Sequence, residues 1–372
     1  MTKDLSSVKV AIVHDWLIGG GAEKVVLAIH EMFPQAPIYT SYSTMEWRTK
    51  LDHKVITGYL GRWPFSKLRK YIPYLRARWF SHLDLSAYDL VISSSGAEAK
   101  GVKASPSTIH INYCHAPTHY YWSRYDEYLV SPGFGIFNPL ARVCLKLLVG
   151  PMRRWDLKAA QRPNYIIANS THTQSQIKKY YNRGSTVIHP PVDVQKFQRP
   201  TSNVQRPTRS GLVIAGRQTP YKKFDLAVAA CTKLSLPLKV IGNGPEHDKL
   251  KKIAGPTVTF IDTVTNDELP AHFQSAEAFI FPGLDDFGIT PVEAMAAGTP
   301  VIAFRAGGAF DYVEEGKTGI FFDEQSVDSL GSALEKAKAI NWDEKIVVNK
   351  AVQFSPEAFK VSLRELINQK IN

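Results

Sequence analysis

The chain of 372 residues has few cysteines and no long hydrophobic run. Cys114, Cys144 and Cys231 form an odd and scattered set, which argues against a disulfide framework and against a four-ligand zinc site. No apolar stretch approaches the roughly 18–20 residues that a membrane-spanning helix needs. The longest candidate, residues 143–149, is interrupted by Lys146. The polar N-terminus predicts no signal peptide. Together these absences favour a cytoplasmic protein.

The bulk composition is that of an ordinary globular protein, with 44% hydrophobic and 21% charged residues, so neither disorder nor a coiled coil fits. The length exceeds what one hydrophobic core usually supports, which predicts two domains. The net charge of +11 is uneven. Residues 1–200 hold 26 Lys and Arg against 13 Asp and Glu, whereas residues 201–372 hold 19 against 21. A basic first half suggests that this half meets an anionic partner.

Strand-like and helix-like segments alternate along the chain, a pattern typical of parallel sheets covered on both faces. Residues 198–210 break the alternation because they are rich in Pro, Thr, Ser, Asn and Arg, and they are read as a linker. The sequence therefore predicts an α/β fold with two doubly wound, Rossmann-like domains. Their predicted bounds are 1–197 and 211–355, and a last helix at 356–372 is expected to pack back on the first domain.

The first glycine-rich turn follows the strand that ends at His14. Gly20 and Gly21 stand between this strand and a predicted helix, where the backbone can approach a ligand and helix N–H groups can meet phosphate. The G-x-G-x-x-G spacing of a dinucleotide site is absent. A tight turn without a ligand remains the alternative for this motif alone.

A second set of strand-to-helix turns carries cations. Arg217 ends a strand and Lys222 precedes a helix, so a planar guanidinium and an ammonium stand where open α/β sheets bind ligands. An ordinary pair of surface lysines is the competing interpretation of Lys222-Lys223. The next such turn contains Gly242, Asn243 and Gly244, and its competing interpretation is a simple loop.

The segment from Phe281 to Met295 is the most informative. It contains a loop through Asp285 and Gly288, then a helix start with Pro291 tolerated in the first turn. The N–H groups of Ile289 and Thr290 would be available to an anion. Glu293 is suited to accept from two vicinal hydroxyls of a ribose. Helix capping is the alternative role for either acid.

The motifs together resemble the family-4 retaining glycosyltransferases with the GT-B fold, over nearly the whole chain. The resemblance is carried by eight segments in family order, which are GGGAEKVV, YCHAP, NSTHTQSQIKKYY, HPPVDVQKF, GRQTPYKKFDLAV, IGNGPE, FIDTVTNDELPAHF and DDFGITPVEAMAAGTPVIA. The family's paired acidic motif has Glu at both ends. This chain has Asp285 at the first position and Glu293 at the second, so the charge is kept while the first side chain is one methylene shorter.

The resemblance implies two domains facing each other across a cleft and a set of site residues. Gly20, Gly21, Arg217 and Lys222 would meet the donor diphosphate, and His115 and Asp285 would meet the transferred sugar. The resemblance assigns the remaining donor contacts to the base, the ribose and the phosphate or sugar, at Gly242, Asn243, Gly244, Thr263, Val264, Gly288, Ile289, Thr290 and Glu293. The catalytic set is His115, Asp285, Arg217 and Lys222.

The same resemblance suggests front-face transfer with retention, in which the departing phosphate helps to take the acceptor proton. Catalysis would then rest on stabilising the diphosphate and on orientation. Two fixed cations would replace the Mg²⁺ of other transferases, and no Asp-x-Asp run is present. We therefore expect no metal and no cofactor beyond the nucleotide-sugar. GDP-mannose is the favoured donor, and a glycan or a lipid-linked molecule of surface-polysaccharide or glycolipid synthesis is the favoured acceptor.

The basic first half contains one unusual segment, residues 62–80, with six basic residues, six aromatics and no acid. Such a composition suits contact with anionic lipid headgroups. It predicts peripheral contact with the inner face of a membrane, whereas a basic helix pair with core aromatics is the alternative. No recognised nucleic-acid module is present, so a nucleic-acid partner is not expected.

Three other functions compete with a mannosyltransferase. A UDP-hexose transferase would share the fold and the mechanism. A sugar-nucleotide epimerase would turn over the donor without an acceptor. A catalytically silent module would bind the donor only, although the complete set of Arg217, Lys222 and Glu293 argues against it.

Overall fold

The computed structural model describes residues 8–69, 72–130, 132–133, 135–198 and 209–371. Contacts divide the chain into two compact units. The first unit comprises residues 1–190 together with 359–372, and the second comprises 191–358. Most of the predicted linker, at residues 199–208, lies outside the described part of the chain.

The first unit is built on a parallel sheet of seven strands in the order β3-β2-β1-β4-β5-β6-β7. The strands are β1 (Val10–His14), β2 (Ile38–Thr40), β3 (Val55–Ile56), β4 (Leu90–Ser95), β5 (Ile109–Cys114), β6 (Tyr165–Ala168) and β7 (Thr186–Val187). Both faces of β1 are buried, because Ile12 belongs to one apolar cluster and Ala11 and Val13 to another. This burial explains why its sequence is a continuous apolar run.

Helices cover the first sheet on the described part of the chain. They are α1 (Gly21–Met32), α2 (Met45–Lys50), α3 (Phe65–Leu68), α4 (Pro73–Ser81), α5 (Tyr125–Val130), α6 (Asn138–Ala160) and α7 (Thr171–Tyr181). The start of α7 shows how the sequence sets a boundary. Ser170 is extended and its hydroxyl accepts from the N–H of Thr173, while Asn182 ends the helix in the left-handed region.

The second unit contains a parallel sheet of six strands in the order β10-β9-β8-β11-β12-β13, the arrangement of a Rossmann fold. The strands are β8 (Leu212–Ala215), β9 (Leu238–Ile241), β10 (Val258–Ile261), β11 (Ala278–Phe281), β12 (Val301–Phe304) and β13 (Gly319–Phe322). The helices are α8 (Val194–Phe197), α9 (Phe224–Lys233), α10 (His247–Ile253), α11 (Leu269–Gln274), α12 (Ile289–Ala296), α13 (Val327–Lys338) and α14 (Glu344–Val352). Two parallel-sheet, Rossmann-like domains confirm the predicted fold class.

The boundary between the units differs from the predicted one. The sequence placed residues 191–197 in the first domain, but the contacts place them in the second. The physical reason is packing, since Val192, Val194 and Phe197 are buried in the same apolar cluster as Val213 and Phe279 of the second sheet.

The last helix, α15 (Pro356–Ile371), contributes to the core of the first unit. Phe359, Leu363, Leu366 and Ile367 are buried there with strand residues such as Ile12. These four side chains recur at helical spacing, so one face of α15 is apolar. The Phe359 ring meets the Tyr113 ring edge-on at 5.8 Å.

Candidate functional site

The first glycine turn lies at the carboxyl end of β1, where the strand order of the first sheet reverses. Gly20 and Gly21 are exposed, and α1 begins at Gly21. Part of the turn's backbone already has a hydrogen-bond partner within the protein. The buried Glu23 carboxylate accepts the N–H of Ile18 at 3.1 Å and that of Gly19 at 2.9 Å. Contact of Gly20 and Gly21 with a diphosphate stays a prediction.

Asp15, the residue after β1, joins this turn to the loop that follows β4. Its carboxylate is buried and accepts the N–H groups of Gly96 at 2.8 Å, Ala97 at 3.0 Å and Ala99 at 2.8 Å. Three charge-assisted hydrogen bonds to one carboxylate hold the two strand-end loops in one arrangement. The sequence analysis did not assign this role to Asp15.

His115 lies next to a row of polar side chains that the register of neighbouring strands brings together. His14 pairs with Ser94 across β1 and β4, and Ser95 pairs with Cys114 across β4 and β5. The Ser94 Oγ lies 2.7 Å from His115 Nε2 and 3.2 Å from His14 Nδ1, and His14 Nδ1 lies 2.7 Å from the Ser94 carbonyl oxygen.

These distances define the hydrogen bonds among His14, Ser94 and His115. A protonated His14 Nδ1 donates to the Ser94 carbonyl, because a carbonyl only accepts. The Ser94 hydroxyl can then accept from His14 and donate to His115 Nε2. Ser94 and His14 were missed by the sequence analysis, although both are polar residues at the ends of buried strands.

In the second unit the predicted cation Lys222 is held by the predicted carboxylate Asp285. Lys222 Nζ lies 2.9 Å from Asp285 Oδ2, with the two side chains 21% and 16% exposed. The ammonium also lies near the end of β8, since a Cβ on Gly216 would be 3.8 Å from Lys222 Nζ. Arg217 is exposed, and within the described residues its guanidinium has no ion pair. The structure therefore brings Lys222 and Asp285 together and leaves Arg217 at the surface.

The turn with Gly242, Asn243 and Gly244 packs directly on the turn after β8. A Cβ on Gly242 would lie 2.4 Å from the Gly216 carbonyl oxygen, and the φ of Gly242 is +106°, so this position requires glycine. Asn243 is exposed, and its side-chain oxygen accepts the N–H of Gly244 at 2.7 Å.

Gln218 links these two turns and was not singled out by the sequence analysis. Its side chain is fully buried; it donates to the Gly242 carbonyl at 2.6 Å and lies 2.8 Å from His247 Nδ1. Its backbone N–H donates to the Asn243 carbonyl at 3.0 Å. A buried amide with its hydrogen bonds satisfied rigidifies the surrounding loops.

Helix α12 begins next to this region. Gly288 caps it, and Ile289 and Thr290 form its first turn, so their N–H groups belong to the four that have no partner within a helix. Glu293 lies in the following turn and is 7% exposed. The positive end of the helix dipole lies at Ile289 and favours an anion there.

The loop before α12 is fixed by packing. The N–H of Gly308 donates to the Asp285 carbonyl at 3.0 Å, and the Phe287 ring meets the Tyr312 ring edge-on at 5.6 Å. Burial raises the pKa of Tyr312 well above its ordinary value, and the nearby Asp285 acts in the same direction. The Tyr312 phenol therefore stays protonated, so it adds no negative charge next to Asp285.

A cavity of about 270 Å³ opens at the ends of β8 and β9 in the second unit. Four predicted donor residues line it, namely Gly242, Thr263, Val264 and Thr290. The rest of its lining is Ala215, Gly216, Ile241, Asp262 and Leu269. Apolar walls with a few polar groups are typical of small-molecule sites. Arg217, Lys222, Asn243, Glu293 and the other predicted residues of this unit are not part of the lining.

The basic segment at residues 62–80 is partly core. Trp79 and Phe80 are buried, and the buried Arg76 guanidinium donates to the Glu98 carboxylate through Nε and Nη2, each at 2.9 Å. Arg76, Trp79 and Phe80 are therefore not available to a membrane surface, because their surroundings are the interior of the first unit.

Comparison with known proteins identifies the family of this chain. The Glycosyltransferase Family 4 model matches residues 19–196, and the Glycosyl transferases group 1 model matches residues 197–360. Between them the two matches cover most of the chain. This chain belongs to the family-4 glycosyltransferases with the GT-B fold.

Two curated relatives show the range within the family. A GDP-mannose-dependent alpha-(1-6)-phosphatidylinositol monomannoside mannosyltransferase of Mycobacterium tuberculosis is 32% identical over 195 residues, or 44% of this chain and 50% of that protein. The sulfoquinovosyl transferase SQD2 of Arabidopsis thaliana is 29% identical over 248 residues, or 64% of this chain and 46% of that protein. The chain thus spans about half the length of the curated relatives it matches.

Two solved structures share the fold along nearly the whole chain. Anabaena HepE in complex with UDP has a TM-score of 0.67 at 18% identity and covers 97% of this chain and 100% of its own. The sucrose-phosphate synthase of Thermosynechococcus elongatus has a TM-score of 0.68 at 16% identity and covers 97% and 98%. At such identities the likeness concerns the fold alone.

Among the described residues, none of the helices combines the length and the apolar character that crossing a membrane would take.

Proposed function

We propose that this protein is a retaining glycosyltransferase that moves a hexose from a nucleotide-sugar to a glycan or a lipid-linked acceptor. One observation carries the proposal. The strand ends of the second unit combine a cavity of about 270 Å³, a helix N-terminus at Thr290 and an ammonium, Lys222, held 2.9 Å from a carboxylate. A cavity, N–H donors and a fixed cation are what a nucleoside diphosphate requires.

The chemistry follows from these groups. Breaking the bond between the sugar and the diphosphate builds negative charge on the departing phosphate. Lys222 and Arg217 would stabilise that charge together with the N–H groups of Ile289 and Thr290, and Glu293 would accept from the ribose hydroxyls. The departing phosphate would take the acceptor proton as the acceptor oxygen bonds to the same face of the sugar. His115 and Asp285 would bind the transferred sugar.

We propose that no metal takes part. Lys222 and Arg217 would supply the charge that a divalent ion supplies elsewhere, and the Asp285 carboxylate already has an ammonium partner in Lys222. The adjacent carboxylates of Asp285 and Asp286 also lack the spacing of an Asp-x-Asp run.

GDP-mannose is the proposed donor, with a UDP-hexose as the second candidate. The mycobacterial relatives are named GDP-mannose-dependent mannosyltransferases, which supports the first. HepE, which shares the fold, was solved in complex with UDP and with UDP-glucose, which supports the second. Thr263 and Val264 line the cavity and would contact the base.

The deciding experiment is a thermal-shift panel of GDP-mannose, UDP-glucose, UDP-GlcNAc, GDP and UDP, with and without EDTA. Selective stabilisation by guanine nucleotides, unchanged by EDTA, is the expected result, and about 100 Kd of ligand adds about 2.7 kcal/mol to the free energy of unfolding. Selective stabilisation by uridine nucleotides would replace GDP-mannose by a UDP-hexose as the proposed donor. In a separate activity assay, turnover of the donor without any acceptor would favour an epimerase. Donor binding without sugar transfer would favour a silent module.

We also propose that the exposed part of residues 62–80 contacts an anionic membrane. Trp63 and Tyr74 are 77% and 68% exposed. Lys70 and Tyr71 of this segment lie outside the described residues. Flotation with anionic vesicles at low salt tests the contact, and vesicle partitioning that does not fall when Trp63 and Tyr74 are replaced by serine would refute it.

A further inference from the structure

Helix α6 carries an exposed apolar face that the proposed sugar transfer does not use. The face consists of Leu140, Val143 and Leu147, which are 63%, 54% and 71% exposed, and it is bordered by Leu148, which is 56% exposed. Leu140, Val143 and Leu147 recur at intervals of three, four and seven residues, so they lie on one side of the helix. Single exposed leucines are common on protein surfaces, but several on one helix face mark an interaction site.

The other half of α6 explains how this face is presented. Val149, Asp156, Ala159 and Ala160 are buried, and they lie on the opposite side of the helix. The Asp156 carboxylate accepts from Trp122 Nε1 at 2.7 Å and pairs with Lys100 Nζ at 2.6 Å. The helix is therefore anchored through its C-terminal half, while the apolar face of its N-terminal half lies at the surface.

The exposed charges on α6 are of one sign. Lys146 and Arg154 are exposed, and so is Arg142, whose guanidinium donates to the carbonyls of Leu129 at 2.8 Å and Val130 at 2.7 Å. The sequence has no acidic residue between Glu127 and Asp156. An amphipathic helix with leucines on one side and basic residues beside them is suited to lie in the plane of an anionic lipid surface. Long basic side chains can keep their charges at the headgroups while the leucines enter the acyl boundary.

The same features argue against a second copy of the chain. Pairing two such faces would bring Arg142, Lys146 and Arg154 of each copy close to those of the other. Four side chains on one convex helix also offer little of the roughly 1,200 Å² or more that a stable protein interface buries. A bilayer needs no complementary groove and supplies the opposite charge.

We propose that this apolar face of α6 is a membrane-docking surface that inserts into an anionic bilayer. Its binding is apolar as well as electrostatic, and it lies on a different helix from residues 62–80. Raising the salt to about 1 M, where the Debye length is about 3 Å, should remove the electrostatic part of the binding to the α6 face and leave the apolar part. The proposal holds whatever sugar the protein transfers.

The test uses a cysteine that already lies on α6 beside the apolar face. Cys144 is exposed in α6, four residues from Leu140, whereas Cys114 and Cys231 are buried. An environment-sensitive nitrobenzoxadiazole label on Cys144 is titrated with vesicles of phosphatidylcholine and phosphatidylglycerol in a roughly 7:3 ratio. A blue shift and a rise in emission, retained in about 1 M NaCl, are the expected result.

Matched variants give the second readout. The double substitution Leu140→Ser and Leu147→Ser should lower vesicle partitioning roughly tenfold or more, because the apolar area available for insertion falls. Val361→Ser, on α15 and 55% exposed, is the control and should leave partitioning unchanged. Because these side chains are exposed, unchanged unfolding midpoints are expected in all variants.

Three results would overturn the proposal. The first is an unchanged Cys144 label with vesicles at low salt. The second is equal partitioning of the wild type and the double variant, which would place any membrane contact elsewhere. The third is a label response that grows with protein concentration in the absence of lipid, together with a doubled molar mass by light scattering, which would assign the face to a second copy.

Discussion

Replacing Lys222 by alanine tests the proposed mechanism most directly. In the structure Lys222 Nζ is paired with Asp285 Oδ2 at 2.9 Å, so two consequences of the substitution must be separated. The ion pair itself contributes only about 1 kcal/mol or less near a surface. A contact to charge that develops in the transition state contributes about 2.7–4 kcal/mol, or about 100- to 1,000-fold in kcat.

The expected result is therefore a loss of about two orders of magnitude in kcat for Lys222→Ala. Asp285→Asn, which keeps the shape but removes the charge, should cost roughly tenfold. If Lys222 acted only by positioning Asp285, both substitutions and their combination would cost the same, and the double-mutant cycle separates the two cases.

The assay follows release of the nucleoside diphosphate at saturating donor. Lys223→Ala is the matched control, because Lys223 is the adjacent lysine, at the N-cap of α9 and in the left-handed region. Wild-type turnover of Lys222→Ala, with a large loss in Lys223→Ala, would refute the assignment of the cation and move it to Lys223.

The remaining predictions concern three other groups. Glu293→Gln should raise the Kd of the donor roughly tenfold through a weaker hydrogen bond to the ribose, measured by calorimetry; an unchanged Kd would remove that role. Ser94→Ala should lower kcat about tenfold and shift its pH profile, since Ser94 Oγ lies 2.7 Å from His115 Nε2, and an unaltered profile would contradict this. Burial lowers the pKa of His110 to about 3, whereas an unfolded histidine titrates near 6.5, so only the unfolded state takes up this proton between those values. The free energy of unfolding is then fully retained above about pH 6.5 and falls by up to about 1.4 kcal/mol per pH unit below it; urea unfolding of His110→Gln should lack this slope.

The fold was predictable because its signal is local. Strands such as β8 are continuous apolar runs, and each is followed by a turn and a helix, so the alternation indicates parallel sheets without any knowledge of contacts. Strands β2 and β3 have three and two residues, too few for the sequence alone to show a period. The boundary at residue 190 was missed because it depends on where Val192 and Phe197 are buried.

The candidate site was likewise predictable in part. Glycine turns at strand ends follow from spacing, and so does a helix that begins near Thr290. The pairing of Lys222 with Asp285 joins positions 63 residues apart, and its distance depends on how two loops pack. Gln218 and Asp15 are polar loop residues in the sequence, and only burial reveals that they hold neighbouring turns together.

The position of α15 has a consequence for folding during synthesis. The second unit is one continuous stretch, residues 191–358, and it can fold as soon as that stretch has left the ribosome. The first unit needs Phe359, Leu363 and Ile367 in its core, and these residues are translated after the whole of the second unit. Domains usually mature in the order in which they emerge. Here the unit that begins to emerge first is the last to be completed.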